Sequence, residues 1–153
     1  MDTKDKKHII NLNLIHITGV GVLKEDLTIP SEFDIQKVDK FDSKLTPSIE
    51  VGKTDKNVRV ILNISISTLG KNKENATIEL QIGVQYVVEN IHDLIVENEE
   101  GLFPDINLFG VLVGTAYSTV RGILMTRLQY TPFNNFILPI ISPYIFLEKA
   151  KND

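Results

Sequence analysis

The chain has 153 residues, the size of one domain, and its 42% hydrophobic and 24% charged content is that of a globular protein rather than a disordered or fibrous one. It contains no cysteine, which excludes a disulfide framework, a thiol nucleophile, a zinc knuckle and an iron–sulfur cluster. The net charge of -4 argues against a nucleic-acid-binding role.

The first seven residues, MDTKDKK, are charged and are expected to be disordered. The apolar stretch that follows, IINLNLIHI, is short, is broken by Asn and His, and lacks a small-residue cleavage site, so it does not read as a signal peptide. From His8 to Leu23, Ile10, Leu12 and Leu14 alternate with polar neighbours; this predicts a strand, with Gly19 and Gly21 marking a bulge or bend near its end. Leu27 to Ser48 reads as irregular and polar, with a short strand around Glu32 to Lys37 and another over Ser48 to Lys53.

Val58 to Leu69 alternates clearly, as does Ala76 to Glu89, and the GKNKEN turn lies between them. Together they predict a long antiparallel hairpin. Asn90 to Phe103 is acidic and reads as a loop or short helix. Pro104 and Asp105 suit a helix start, and Asp105 to Gln129 reads as one helix of ~37 Å. Pro132, Pro139 and Pro143 then punctuate an apolar segment, with a short helix expected over Tyr144 to Lys151 and a frayed tail over 148–153. Strands followed by one dominant helix predict a single α+β domain over 1–153, its antiparallel sheet covered on one face.

The longest apolar runs, Leu108 to Val120 and Ile137 to Leu147, fall short of the ~18–20 residues of a spanning helix, which leads to the expectation of a soluble, cytoplasmic protein. The long helix nevertheless carries more than one apolar stripe, and Gly110, Gly114, Ser118 and Gly122 recur every four residues. Each interior glycine costs ~1 kcal/mol against Ala, so the ridge needs a reason. One is close packing within the protomer. The other, favoured because one small domain has little material to cover two faces, is a second subunit lying on the helix.

Catalytic chemistry is hard to place. His8, His16 and His92 show no metal-ligand spacing. Gly19-Val20-Gly21 lacks the rest of a dinucleotide fingerprint. The acids Glu89, Asp93, Glu97, Glu99, Glu100 and Asp105 read as a solvated surface or a docking face for a basic partner, with no Lys or Arg between Lys73 and Arg121. What remains are apolar residues in irregular segments: Ile29, Phe33, Phe41, Leu45, Phe103, Phe133 and Phe136. Such residues suit a groove for apolar polypeptide. A closed pocket for a lipid-like ligand and an acidic partner-specific adaptor remain as alternatives. An enzyme comes last.

Three stretches resemble the SecB export-chaperone family: VRVILNISISTLGKNKENATIELQIGVQYVV its central hairpin, NLFGVLVGTAYSTVRGILMTRL its long helix, and FILPIISPYIF its proline-bearing segment and short second helix. The weaker LKEDLTI and LTPSIEV extend the resemblance over Ile9 to Leu147. It implies a four-stranded antiparallel sheet covered by one long helix plus a short C-terminal helix. It also implies dimers paired through first strands, long helices sandwiched in a homotetramer, no enzymatic activity and no cofactor. The family holds unfolded preproteins in apolar grooves and passes them to SecA; some relatives serve antitoxins. By position the groove would be lined by Leu45, Ile78, Phe133 and Phe136, with Phe33 and Phe41 added on their chemistry. Asp26 keeps one acidic docking position, with Glu79 near another, whereas Pro30 and Gln81 stand where acids are typical. The subunit interface is expected at Gly110, Gly114, Tyr117, Ser118, Arg121 and Gly122.

Overall fold

In a computed structural model of the chain, residues 9–149 are described; the expected disordered stretch 1–7, His8 and the tail 150–153 lie outside them. Four long strands form one antiparallel sheet: β1 (Ile15–Thr28), β2 (Val38–Val51), β3 (Asn57–Gly70) and β4 (Thr77–Val88). Their order across the sheet is β1-β4-β3-β2, so the β3–β4 hairpin is central and β1 and β2 are edges. The alternation read from the sequence is the reason. Val58, Val60, Leu62, Ile64 and Ile66 of β3, and Ile78, Leu80, Ile82, Val84, Tyr86 and Val88 of β4, all point to one face and are buried. Each such side chain contributes roughly 1.5–3 kcal/mol. Thr68 is the buried polar residue at the hairpin end; its hydroxyl oxygen accepts from the Ala76 amide at 2.9 Å.

The edges depart from expectation. β1 starts at Ile15, not His8, because Leu12–Leu14 form a 3-10 turn in which Asn11 accepts a bond from the Asn13 amide at 3.1 Å. A short polar side chain here offers the backbone an alternative to the ladder. The pairing of β1 with β4 shifts register between Ile17 and Gly19, beside one of the two glycines, and again between Val22 and Lys24, whereas Gly21 pairs regularly with Gly83. β2 is a full strand of 14 residues where an irregular segment was expected, and the short strand placed at Glu32 to Lys37 gives way to a 3-10 turn at Ile35–Lys37. As an edge strand, β2 tolerates Pro47 and polar residues on its open side. The acidic stretch after β4 holds a 3-10 turn and a small hairpin, β5 (Ile95–Asn98) and β6 (Gly101–Pro104), in place of a helix or loop. Gly101 takes φ +119° in its tight turn, a conformation that favours glycine.

Helix α1 spans Ile106–Arg127, and the Asp105 carboxylate caps it by accepting from the amides of Asn107 at 2.9 Å and Leu108 at 2.8 Å. α1 has the length and mean hydropathy of a membrane-crossing helix, which the buried core helix of a globular domain can also have, a property that counting unbroken apolar runs did not reveal. Half of the qualifying stretch is buried, through Leu108, Leu112, Ala116, Val120 and Leu124 among others. Tyr86 links helix to sheet: its hydroxyl donates to the Leu112 carbonyl at 3.0 Å and lies 2.8 Å from Thr115 Oγ1. At the far end Arg127 makes an ion pair with Glu25 of β1. A short helix, α2 (Ile145–Lys149), closes the described chain.

Candidate functional site

The expected groove residues gather only in part, and where they gather they close. Alternation along β2 turns Phe41 and Leu45 toward the core. The turn after α1 then brings two phenylalanines onto Phe41, with ring centroids 6.0 Å away for Phe133 and 5.8 Å for Phe136. Thr131 builds that turn, donating to the Leu128 carbonyl at 2.8 Å and accepting from the Phe133 amide at 3.1 Å. Phe133 is fully buried, Phe136 is 8% exposed, and Ile78 lies in the centre of the sheet with no exposure. Phe33, Phe41 and Leu45 are half-buried. An open groove over these six side chains is therefore not what this conformation presents. The segment after α1 folds back and covers the inner face of the β2 edge.

The two acids expected at a docking surface do meet. Asp26 on β1 is registered directly opposite Glu79 on β4, and both are exposed. Ser65 donates to Glu79 at 2.6 Å from the other side. Like charges facing across strands are destabilising, so the pair carries a cost that the sheet absorbs.

The glycine ridge of α1 is partly covered by the chain itself. A Cβ on Gly110 would collide with the Tyr144 ring, reaching 2.7 Å from its Cζ, and one on Gly114 would lie 3.5 Å from Pro143 Cγ. Tyr117 donates to the Pro139 carbonyl at 2.8 Å, and burial pushes its phenol above the ordinary range while Arg121 opposes the shift. The second apolar side of α1 thus packs, at Gly110, Gly114 and Tyr117, against the C-terminal segment of the same protomer. Ser118 and Gly122 are exposed, and a Cβ on Gly122 would meet nothing. Arg121 is half-buried; its Nε is enclosed without a hydrogen-bond partner among the described residues, beside a cavity of about 60 Å³ lined also by Tyr117 and Ile141.

The open apolar surface lies elsewhere. Ile17, Val20 and Leu27 of β1 sit opposite Tyr86, Val84 and Ile78, on the helix side of the sheet, yet are 50%, 44% and 37% exposed. The helix is seated over the central hairpin and leaves these side chains open, meeting β1 at the Arg127–Glu25 ion pair. A second patch forms where the β5–β6 hairpin meets the start of α1 and α2. Val96, Phe103, Ile106, Tyr144 and Leu147 line a groove of about 770 Å³ there. Phe103 supports it by stacking on Phe109, with centroids 5.9 Å apart. Only Phe103 of this group carried a signal in the sequence; the rest depend on a hairpin that the acidic composition concealed.

The fold as a whole has a counterpart among solved structures. The fold is SecB-like. The Mycobacterium tuberculosis Rv1957 SecB-like chaperone, in complex with a ChAD peptide from the Rv1956 HigA1 antitoxin, superposes with a TM-score of 0.60. The match covers 85% of this chain and 93% of that one, at 10% sequence identity. No protein-family model and no curated protein matches the sequence.

Proposed function

We propose that this protein is a chaperone of the holdase type, which keeps polypeptides unfolded by covering their apolar segments, and that it is not an enzyme. The observation that carries the reading is the combination of a SecB-like fold with large apolar side chains left open beside the start of α1. An unfolded client offers several short apolar segments, each bound weakly because ordering it costs ~2–5 kcal/mol. Assembly into a homotetramer, with β1 edges and the Ser118–Gly122 stretch of α1 between copies, would multiply the sites and raise avidity ~100–10,000-fold. Folded proteins hide the segments and are released.

Light scattering on a sizing column, with and without a permanently unfolded client, tests this. The expected result is a tetramer mass that gains a client chain. A monomer that ignores the client removes the holdase reading and the assembly together.

Two client classes fit the reading. Export of preproteins, in the cytoplasm and with hand-over to SecA, draws support from the facing carboxylates of Asp26 and Glu79. Service to one dedicated partner draws support from the antitoxin peptide held by the structural neighbour. Pull-down of purified SecA by the wild-type protein, and its loss in Asp26→Lys, separates the first from the second.

A further inference from the structure

We infer that the cavity between α1 and the segment Pro139 to Pro143 is a binding site for a small free carboxylate, of acetate or propionate size, held by Arg121. The inference does not depend on the holdase reading, and its ligand is not a polypeptide. Three observations lead there.

The first is a donor without an acceptor. Arg121 Nε is enclosed with no hydrogen-bond partner, and its guanidinium makes no ion pair among the described residues. Arg59 and Arg127, in contrast, hold Glu50 and Glu25. An enclosed N–H that has lost water and gained nothing carries a cost that an incoming acceptor removes. The planar guanidinium matches a carboxylate through two parallel bonds, and Nε is one arm of that fork.

The second is the wall of the cavity. Its volume is about 60 Å³, whereas one water needs only ~10–15 Å³. The wall carries donors and no carboxylate. The Ser118 hydroxyl and the amides of Ile140 and Ile141 make no hydrogen bond among the described residues. Tyr117, also on the wall, donates to the Pro139 carbonyl at 2.8 Å and so occupies that acceptor. The field of Arg121 reaches the same wall, since it opposes the rise that burial imposes on the Tyr117 phenol. An excess of donors beside a positive charge selects an anion.

The third is the polarity of the remaining wall. Ile140, Ile141 and Pro143 are apolar. A short aliphatic stem can rest on them while its carboxylate faces Arg121. Phosphate or sulfate would instead press charged oxygens against these side chains, at a desolvation cost.

The test is saturation transfer from the full chain to sodium acetate in solution, at an ionic strength held constant with sodium chloride. Acetamide, neutral and of the same shape, is the comparison. Acetate should receive saturation with a midpoint on the order of millimolar, as suits so few atoms, and acetamide should receive little. Arg121→Gln should weaken acetate binding about tenfold. Arg121→Lys, which keeps the charge and loses the fork, should weaken it too. Circular dichroism checks that both fold. Ile140→Ser replaces a side chain that is 84% exposed, so it tests the site without disturbing the core. It should weaken propionate more than formate, which has no stem. Three results overturn the inference. Equal signals from acetate and acetamide, or none from either, mean that water satisfies Arg121. Unchanged acetate binding in a folded Arg121→Gln protein places the acid on another cation. Acetate that lowers the light-scattering mass of the wild type makes the cavity a seat for a carboxylate of a second copy.

Discussion

Tyr86 shows how one hydroxyl ties helix to sheet. It is 1% exposed and bonded to the Leu112 carbonyl, and burial raises its pKa above the ordinary value of 10.0. In the unfolded chain the phenol ionises first, so its contribution to stability is present below about pH 10 and is lost as pH rises through the folded-state pKa. Tyr86→Phe should cost about 1 kcal/mol at neutral pH, through loss of the hydroxyl's bonds to the Leu112 carbonyl and Thr115. The variant should also lose less stability between neutral and alkaline pH than the wild type does. Urea denaturation at the two pH values measures both effects. Equal alkaline losses in the two proteins would mean that another group governs the high-pH limb.

Among the elements, the central hairpin and α1 were legible because their apolar residues recur with unmixed periods, two for the strands and near four for the helix. β2 was not, since half of its residues face solvent and Pro47 reads as a breaker unless the strand is known to lie at an edge. The β5–β6 hairpin was missed for a related reason. Its strands are four residues long, too short for alternation to register, and Glu97, Glu99 and Glu100 suggested a loop. The turn after α1 is the element whose removal should be felt most. Phe133→Ala takes a fully buried ring out of the seam between that turn and β2, and should destabilise the protein by about 3–5 kcal/mol. Thermal and urea unfolding measure this directly. A loss below about 1 kcal/mol would show the turn to be detached in solution, with the aromatic cluster open after all.

At the scale of the whole molecule, the sheet has more apolar surface than one helix covers. Ile17 and Val20 on β1 stand open on the same face as the core, and Gly122 and Ser118 of α1 present small side chains to solvent. Under the proposed tetramer these surfaces meet a second copy. Gly122→Leu tests the idea cleanly, because a side chain there touches nothing within the protomer. Its helix and sheet should fold as in the wild type, seen in circular dichroism, while the mass by light scattering falls. Gly114→Leu is a poorer probe, since Pro143 of the same chain already occupies that space and a folding defect would mask an assembly defect. A Gly122→Leu protein with unchanged mass would move the proposed interface away from this part of α1.

Periodic burial is a local signal, and it is why the residue pattern determined an α+β protein with an antiparallel hairpin, a long helix and a short C-terminal one; the four-stranded sheet was what the resemblance implied. The resemblance pointed to Phe133, Phe136, Asp26 and Glu79 as positions of interest, and side-chain chemistry added Phe41. Which surfaces stay open was decided only by tertiary structure. Phe133 and Ile29 look alike in sequence, yet the fold buries the first and leaves the second 49% exposed. Gly110 and Gly122 belong to one ridge, yet only the first lies under Tyr144. Exposure depends on segments distant in the chain that come to rest against one another. The return of the C-terminal segment onto α1, and the meeting of a small acidic hairpin with the ends of both helices, leave no period in the sequence to read.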